Sequence, residues 1–431
     1  PVSVLDAATG RVLTEALPGT QGADELILSE GVLFAKCTEG LSVTAMQRFG
    51  REALHDSLAA VDVKTGQLLW RKDNIRVAPY ALAALSGRLV YHDMDALVCL
   101  EARTGRQLWR TNCPLRWAFG GGLTLALQDG VVLFHARGQR EPPESGQEPR
   151  KSAAATPARK RRRRPPGSLY MTALSLDDGR LLWRRPGHPS LAQACILPTD
   201  VFVTNGIVWY GQSFEGYDLH TGVVRRTVDV GKLISPGHHY RCHRAKAAAR
   251  YLIWPKRGAE FIDVSDQNHM RHDWLRSPCF TGLVPANGLL YVPPSQCFCY
   301  PGVKLSGFLA LSSRSSWETA PGAGTKSQPQ PFRRGSASAM SGSRSLAWDP
   351  LSDWPMYRHD NRRSGSTRTA VSPDLRRRWQ AELSEPVPQA VGVGDRLWVV
   401  ERNGHRVRCL DATSGQPLWS FTADGRINSP P

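Results

Sequence analysis

The sequence predicts an all-β protein, a β-propeller of about eight four-stranded blades. One motif carries this prediction: a short apolar run, then Asp-x-x-Thr-Gly or a variant, then a second apolar run that usually ends in Trp. The turn glycines recur at a steady spacing, with 39 residues from Gly66 to Gly105 and 43 from Gly179 to Gly222. A period near 40 residues with strand-like flanks is typical of propeller blades.

The motif occurs six times, and each copy is physically consistent with a turn between two strands. Asp and Thr side chains bond local backbone in a tight turn, and Gly takes positive φ without strain. A single blade cannot bury both of its faces, so we expect the terminal Trp to fill the space between neighbouring blades. The copies occupy residues 5–13, 61–70, 100–109, 174–183, 217–226 and 410–419.

Two weaker copies follow the fifth motif. Residues 251–254 and 260–264 keep a strand pattern and the Asp, and Trp274 falls near the position of the closing Trp. Residues 288–293 and 307–311 repeat the strand pattern without the Thr-Gly turn. Between Gly105 and Gly179 the spacing is 74 residues, which returns to about 40 if an insertion near residues 136–167 is removed.

The repeating Leu-x-Ala-Leu-Asp-x-x-Thr-Gly-x-x-Leu-Trp unit resembles the PQQ-like propeller repeat. That family includes quinoprotein dehydrogenases and outer-membrane assembly factor B. The resemblance implies a propeller, most often of eight blades, and it leads us to expect a location in the cell envelope or periplasm. It does not imply a bound quinone, because the repeat occurs in many members without one.

Composition and charge exclude some classes of protein. A hydrophobic content of 41% is enough for buried cores, and no apolar run approaches the roughly 20 residues of a membrane-spanning helix. The net charge of +17 is concentrated in part at residues 150–164, which carry eight basic and no acidic side chains. Such a block is typical of a disordered, solvated loop, with contact to a polyanion as the alternative. It lacks the interleaved aromatic residues of single-strand binders, so nucleic acid is not the expected partner.

We divide the chain into a propeller at 1–311, a flexible Ser/Gly/Pro-rich linker at 312–350, and a further blade at 351–431. Residues 353–371 resemble the entry segment with which propellers of this family begin, and Arg358, His359 and Asp360 are expected to be structural. Two arrangements compete: a second propeller starts there, or the last blade closes one ring; the first is favoured. The chain opens within a motif and stops where a strand is expected, which suggests a fragment.

The densest cluster of metal-ligating residue types lies between residues 237 and 300. It contains His238, His239 and Cys242, and then Cys297 and Cys299, with His243 and Cys279 nearby. Imidazole and thiolate suit Zn(II) or Cu(I), and Cys-x-Cys offers two sulfurs to one soft ion. Loops at one end of a propeller converge, so a metal site shared by two consecutive blades is geometrically feasible.

Three alternatives remain open for this cluster: structural thiols or disulfides, a metal site, and a catalytic thiol. The family's quinoprotein enzymes carry an adjacent Cys-Cys pair, whereas Phe298 separates Cys297 from Cys299 here. PQQ is therefore not expected, and Cu or Zn is the metal to test. The chain also lacks the G-x-S-x-G, H-E-x-x-H and P-loop motifs. His55 and Asp56 are expected to be exposed.

These observations predict a non-enzymatic scaffold that binds protein partners through the loops at the ends of the propeller. A His/Cys metalloprotein with redox activity is the first alternative, and a quinoprotein-type oxidoreductase is the second.

Overall fold

The Asp-x-x-Thr-Gly motifs form tight turns between antiparallel strands in the computed structural model of the chain. At Gly66, where φ is +71°, the backbone N–H donates to the carbonyl oxygen of Asp62 at 2.8 Å. The Oδ1 atom of Asp62 accepts the N–H of Thr65 at 3.1 Å. The turn chemistry predicted from the sequence is therefore confirmed, because the side chain and the glycine perform the two expected tasks.

Thirty strands and no helix occur among the residues that the structure describes. The described residues are 1–39, 55–115, 123–137, 169–186, 200–210, 214–234, 243–278, 282–294, 307–313, 349, 351–385, 387, 390–423 and 427. None of these residues belongs to a helix with the length and apolar character needed to cross a membrane.

The strands form seven four-stranded antiparallel sheets and one two-stranded sheet within these ranges. The two-stranded sheet is β1 (Val4–Leu5) and β2 (Val12–Thr14). The first sheet is β3 (Ala23–Ser29), β4 (Val32–Glu39), β5 (His55–Asp62) and β6 (Leu68–Ile75), and the second is β7 (Leu82–Leu85), β8 (Arg88–His92), β9 (Ala96–Glu101) and β10 (Gln107–Asn112). The third is β11 (Leu123–Gln128), β12 (Val131–Arg137), β13 (Leu169–Ser175) and β14 (Leu181–Pro186), and the fourth is β15 (Val201–Thr204), β16 (Ile207–Tyr210), β17 (Glu215–Asp218) and β18 (Val224–Thr227). The fifth is β19 (Lys246–Ala247), β20 (Tyr251–Trp254), β21 (Ala259–Asp263) and β22 (Met270–His272), and the sixth is β23 (Val284–Ala286), β24 (Leu289–Val292), β25 (Phe308–Ser313) and β26 (Leu375–Ala381). The seventh is β27 (Ala390–Val393), β28 (Arg396–Glu401), β29 (Arg406–Asp411) and β30 (Pro417–Thr422).

The sheets follow one another around an axis, as blades of a propeller. Strands within each sheet are hydrogen-bonded in chain order. The first strands of successive sheets contact one another, from β3 and β7 through to β23 and β27, which places them nearest the axis. Buried apolar side chains fill the space between neighbouring sheets. One such cluster joins Val90 and Cys99 of the second sheet to Leu125 and Phe134 of the third.

A recurring joint links each of five sheets to the next along the ring. The Trp in the last strand of one sheet donates its indole N–H to a backbone carbonyl in the turn of its neighbour. The ring of that Trp also packs against the turn glycine, where a Cβ would lie 2.4–2.8 Å from ring atoms. The Nε1–O pairs are Trp70–Ala102 (2.8 Å), Trp109–Leu176 (2.9 Å), Trp183–Leu219 (2.8 Å), Trp379–Ala412 (3.0 Å) and Trp419–Ala7 (3.3 Å). The expected role of Trp between blades is confirmed.

The joint between the fourth and fifth sheets uses a different side chain. Arg226 stands at the position of the Trp, and its Nη1 donates to the carbonyl oxygen of Val264 at 2.6 Å. Gln267, with φ of +57°, stands at the position of the turn glycine. The prediction for Trp274 is wrong: it lies beyond the closing strand of its sheet, is 41% exposed, and bonds His272.

The β1–β2 hairpin occupies the ring position between the seventh sheet and the first. Leu5 packs into the apolar cluster of the seventh sheet, whereas Val4 packs with Leu33 and Val61 of the first. By its turn, the hairpin corresponds to the third and fourth strands of a blade. The predicted propeller of about eight blades is confirmed with a minor difference: among the described residues, seven positions carry four strands and an eighth carries two.

The sixth sheet is completed by a strand that is distant in sequence. β26 pairs with β25, with Ala310 opposite Trp379, although more than sixty residues separate the two strands. The division at 1–311, 312–350 and 351–431 stays a prediction. Most of the linker and of the basic insertion at 136–167 lies outside the described residues.

Candidate functional site in the central channel

Residues 353–371, here called the channel segment, run along the axis of the ring. Their carbonyl oxygens accept backbone N–H groups from the first strands of several sheets. Asn361 accepts from Ala84 at 2.7 Å, and Arg362 accepts from Leu127 at 2.7 Å. These bonds pair the segment with backbone groups that face the axis, so the segment fills the place where a channel would otherwise run.

The channel segment contacts the remaining sheets around it as well. Trp354 exchanges two backbone hydrogen bonds with Gly392 of the seventh sheet, at 2.7 and 2.9 Å. Further bonds are Asn361 Nδ2 to Ser29 Oγ (2.7 Å), Ser366 Oγ to the Val203 oxygen (3.1 Å), and Ala247 N–H to the Gly365 oxygen (3.1 Å). The segment thus cross-links sheets that are far apart in sequence.

Arg363 is the most deeply placed charge of the segment, with a fully buried side chain. Its Nη2 lies 3.0 Å from Oε1 of Glu25, and its Nε donates to the carbonyl oxygen of Leu82 at 3.0 Å. Its Nη1 donates to the carbonyl oxygen of Tyr357 at 2.7 Å. Such a fully bonded guanidinium ties the first and second sheets to the segment.

Asp200 holds two other buried guanidinium groups. Its Oδ1 lies 3.1 Å from Nη1 of Arg244 and 3.2 Å from Nη1 of Arg358. Its Oδ2 accepts the backbone N–H of Ala245 at 2.8 Å. Arg358 also donates to the carbonyl oxygen of Val201 at 2.7 Å. One carboxylate therefore serves two cations in a region shielded from solvent.

His359 and Asp360 bond within the segment. His359 Nδ1 lies 3.2 Å from Oδ2 of Asp360, which also accepts the hydroxyl of Ser364 at 2.9 Å. Burial alone would raise the pKa of Asp360, but the hydrogen bond and charge of His359 hold it below its ordinary value. With Arg358, both residues have the structural contacts that the sequence led us to expect.

A small cavity of about 30 Å³ adjoins this cluster, with room for one or two molecules the size of water. Its lining includes Arg244, Lys246, Trp354, Tyr357 and Arg358. The Lys246 Nζ donates to the carbonyl oxygen of Arg244 at 3.4 Å and lies 5.9 Å from the centre of the Trp354 ring. Cofactor sites are about 300–1,000 Å³, so this cavity suits only a small ligand.

Three of the described residues that line the cavity are cationic: Arg244, Lys246 and Arg358. Burial lowers the pKa of Lys246 to about 7; Asp200 opposes that shift, and Arg358 and Arg244 add to it. Burial, together with the charge of Arg244, also lowers the pKa of Arg358 to about 10. Burial is the largest cause of both shifts, and the charges of neighbouring guanidinium groups add to it.

Sequence reasoning missed Asp200, Arg244 and Lys246. The signal was present in Arg-Ala-Lys-Ala at residues 244–247, because alternation along a strand puts Arg244 and Lys246 on one face. Asp56, expected to be exposed, is buried; it accepts the N–H of Val77 at 2.8 Å and the hydroxyl of Thr38 at 2.8 Å. That prediction was wrong because Asp56 lies within strand β5, where its carboxylate faces Thr38 and the backbone of Val77.

The residues predicted to hold a metal, His238, His239, Cys242, Cys297 and Cys299, lie outside the described residues, as does Cys279. Within the described ranges no group of three or more His, Cys, Asp and Glu is placed to hold a metal. His243 is described and buried, and its Nδ1 is 2.5 Å from where a Cβ on Gly282 would lie. The chain beyond Cys242 thus passes beside the chain beyond Cys279.

Four cysteines within the described ranges are free thiols: Cys37, Cys99, Cys113 and Cys409. Burial raises the pKa of Cys99 to about 12 and that of Cys113 to about 11. Such thiols stay protonated at neutral pH, which makes them poor nucleophiles and poor metal ligands.

A family model described as outer membrane protein assembly factor BamB matches residues 54–232 and 361–431. The two ranges cover more than half of the chain and include the channel segment from Asn361 onward. The chain belongs to this PQQ-like repeat family. The family matches what the turns and the Trp joints indicate, and the resemblance seen in the sequence is confirmed.

Solved structures show the same architecture at low identity. The computationally designed Ika8 protein is 11% identical, with a TM-score of 0.51 over 96% of this chain and 92% of its own. BamB from Moraxella catarrhalis is 12% identical, with a TM-score of 0.47 over 94% and 89%. Quinohemoprotein alcohol dehydrogenase from Comamonas testosteroni is 11% identical, with a TM-score of 0.47 over 96% and 69%. The likeness to Ika8 supports the propeller fold alone. No curated protein sequence matches this PQQ-like repeat chain.

Proposed function

We propose that this PQQ-like propeller is a binding and assembly scaffold that works without a bound quinone. One observation supports the proposal most strongly: the channel segment lies along the axis, and the cavity beside it measures only about 30 Å³. A quinone would need a site roughly ten times larger than this cavity, which is lined by residues that the structure describes. A filled axis leaves the ends of the propeller as the surfaces that can meet a partner.

The partner surface we propose is one end of the ring, here called the loop end. Because the strands are antiparallel, the connections between second and third strands lie at the same end as those leading to the next sheet. The described strands that flank residues 40–54, 138–168 and 295–306 all end there. The basic stretch at 150–164 belongs to this set, so the end favours an acidic protein surface. The family model is named for outer membrane protein assembly, which supports a protein partner in the cell envelope.

Reconstitution separates the scaffold from an oxidoreductase. The purified chain is mixed with PQQ and Ca²⁺ and assayed for alcohol-dependent dye reduction, and PQQ binding is measured by calorimetry. We expect neither turnover nor stoichiometric binding. Dye reduction above that of free PQQ, or one PQQ bound per chain, would overturn the proposal.

A His/Cys metal site is a second candidate, and one observation favours it. Arg244, Gly282 and Pro293 line the same cavity. These described residues are close in sequence to Cys242, Cys279 and Cys297. The three chain segments that carry these cysteines therefore begin or end near the same cavity. This convergence supports a shared site for Zn(II) or Cu(I).

Metal analysis tests this candidate. We expect about one equivalent of Zn or Cu in the wild type, and its loss in the double variant Cys297→Ser, Cys299→Ser. Cys409→Ser, a buried thiol in the seventh sheet, is the matched control and should keep its metal. Substoichiometric metal in the wild type, or equal metal in all three proteins, excludes the site.

A further inference from the structure

Only two strands of the described chain occupy the ring position of the β1–β2 hairpin. In each of the seven four-stranded sheets, the third strand is bonded on both sides, to the second strand and to the fourth. β1 stands at the place of a third strand, and among the described residues it pairs with β2 alone. The places of the first and second strands therefore hold no described strand at this position.

A hydrogen bond that recurs in five sheets has no counterpart at β1. The second residue of the turn motif donates its backbone N–H to a carbonyl oxygen in the turn between the first and second strands of its own sheet. These N–O pairs are Val63–Gly31 (3.0 Å), Ala102–Gly87 (2.8 Å), Leu176–Gly130 (2.8 Å), Val264–Arg250 (3.0 Å) and Ala412–Asp395 (2.9 Å). Ala7 is the equivalent residue of the hairpin, and its N–H has no bonded partner in the part of the chain that the structure describes.

Apolar side chains at this position are uncovered as well. Leu28 of β3 is 46% exposed, whereas the residues at the same register in the next two sheets, Ala84 and Leu127, are 1% and 0% exposed. Ala84 and Leu127 each pack against the preceding sheet. Leu5 of β1 is only half-buried, and its equivalent Leu100 in β9 is 1% exposed. The eighth position thus combines an open sheet edge with uncovered apolar surface, which together favour the addition of strands.

The four-stranded sheets show which piece of polypeptide fits such a place. In the fourth sheet it is the hairpin of β15 and β16, whose turn Asn205-Gly206 has φ of +51° and +74°. Positive φ at both turn residues is typical of the tight connection of a β-hairpin. Both faces of this hairpin are apolar, since Phe202 pairs with Trp209 and Val203 pairs with Val208 across the strands. A short antiparallel hairpin with apolar side chains on both faces is therefore the matching shape and chemistry.

We infer that the eighth position binds an antiparallel β-hairpin presented by a protein partner. The hairpin takes the places of the first and second strands, bonds the edge of β1 and covers Leu28. Its turn offers a carbonyl oxygen to the N–H of Ala7. The described hairpins of this chain already lie in their own sheets, which favours a separate polypeptide as the occupant. This inference rests on the proposed role as a scaffold for protein partners, and it adds a docking place between two sheets to the surface at the loop end.

Strand addition of this kind has two sources of affinity and specificity. Main-chain hydrogen bonds to the edge of β1 provide affinity, and the uncovered apolar surface on either side selects apolar side chains at alternate positions. The same packing joins neighbouring sheets elsewhere in the ring, as between Val90 of the second sheet and Phe134 of the third. The proposed interface therefore continues the packing that already holds the ring together.

Binding of a hairpin peptide to the full chain tests the inference. The probe is a fluorescently labelled peptide of residues 200–211, which contains the hairpin of the fourth sheet. The control peptide carries Val203→Ser and Val208→Ser, which make one face polar. We expect saturable binding of one probe per chain, and binding of the control peptide that is about tenfold weaker or less.

Two variants of the protein locate the bound probe. Leu28→Asp should weaken binding about tenfold, because a carboxylate then meets the apolar face of the hairpin. Leu181→Asp is the matched control: Leu181 is 50% exposed on the outer strand β14 of the third sheet, so binding should be unchanged. Amide hydrogen exchange at Ala7 needs no variant, and it should slow when the probe is bound.

No saturable binding, equal affinity for the two peptides, full affinity in Leu28→Asp, or unchanged exchange at Ala7 would each overturn the inference. Slow exchange at Ala7 without the probe would mean that a segment of this chain fills the place, and a wild-type dimer that Leu28→Asp dissociates would mean that a second copy does. Either result would overturn the assignment to a partner. The PQQ assay reads none of these contacts, so a failure here is distinguishable from a failure of the proposed function.

Discussion

Trp419 and Ala7 are 412 residues apart in sequence, yet the indole N–H of Trp419 donates to the carbonyl oxygen of Ala7 at 3.3 Å. The same ring packs against Gly10, where a Cβ would lie 2.7 Å from a ring carbon. This contact repeats the joint found between four other pairs of neighbouring sheets. The β1–β2 hairpin is therefore held against the last sheet by the same chemistry that holds the blades together.

The joint predicts a difference between two glycines of the fourth sheet. Gly222 has φ of +66° and would place a Cβ 2.6 Å from the Trp183 ring, whereas Gly206 has φ of +74° and open space. Gly206→Ala should cost about 1–2 kcal/mol for the backbone alone. Gly222→Ala should cost about 1–3 kcal/mol more, because the indole must move. Urea denaturation of both variants measures the difference, and equal losses would show that the packing of Trp on Gly is unimportant.

The exceptional joint predicts an energetic coupling between Arg226 and Gln267. At the five Trp joints a Trp faces a glycine, whereas here Arg226 is accompanied by a residue with a Cβ. Arg226→Trp alone should destabilise the protein, because the indole meets the Gln267 side chain. Combined with Gln267→Gly, it should recover stability.

A double-mutant cycle of unfolding free energies checks this coupling. We expect an interaction of about 1–2 kcal/mol in favour of the double variant. As a control, Arg225→Trp lies on the neighbouring exposed position and should show no coupling to Gln267→Gly. Strict additivity for Arg226→Trp would mean that the fourth and fifth sheets meet in a different way.

The burial of His92 leads us to expect that the protein loses stability in mild acid. It is buried, stacks on Phe134 with ring centres 4.8 Å apart, and its Nδ1 accepts the N–H of Met94 at 2.9 Å. Burial lowers its pKa to about 4, whereas its ordinary value is 6.5. The unfolded chain therefore binds the proton first, and stability should fall as the pH drops from about 6.5 to about 4.

The expected contribution of His92 is at most about 3 kcal/mol. Unfolding free energies of His92→Gln, measured from pH 7 to pH 4, should show a smaller loss than those of the wild type. His220→Gln, on an exposed turn, should follow the wild-type curve. An unchanged acid slope in His92→Gln would contradict the assignment.

The buried ion pair between Arg363 and Glu25 leads us to expect that the stability of the fold depends strongly on the channel segment. Arg363→Met leaves Glu25 buried without its cation and should cost about 3–5 kcal/mol. Adding Glu25→Gln should recover part of that loss, since the unpaired charge is then removed. Arg362→Met is the control, because Arg362 is one-third exposed and should cost about 1 kcal/mol or less. Chemical denaturation gives the free energies of unfolding of the four proteins. A small loss in Arg363→Met would show that this ion pair contributes little to the stability of the fold.

The sequence predicted the repeating parts of the fold because their chemistry is local. The Asp and Gly of each turn and the Trp four residues later are visible within ten residues, and they form the turns and joints as expected. The joint of Arg226 could not be predicted in this way. It depends on which carbonyl oxygen a neighbouring sheet presents, and residues 226 and 264 are 38 positions apart.

The cationic cavity was harder to predict than the joints. Its charges come from Asp200, from residues 244–246 and from Arg358, which meet only because the channel segment returns to the axis. The entry-like pattern at 353–371 was recognised, but its path through the ring was not. Long-range return of a segment leaves no periodic trace in a sequence.

The hairpin and the last sheet are neighbours in one ring. Spin labels at Ala8 and Ser420 test it directly by pulsed electron resonance, in a background without other reactive cysteines. Both residues are exposed, and Arg110 and Asp177 occupy the equivalent positions at the joint of the second and third sheets. We predict a single narrow distance distribution that matches that of labels at Arg110 and Asp177. A broad distribution at longer distances, with the control pair still narrow, would contradict the ring.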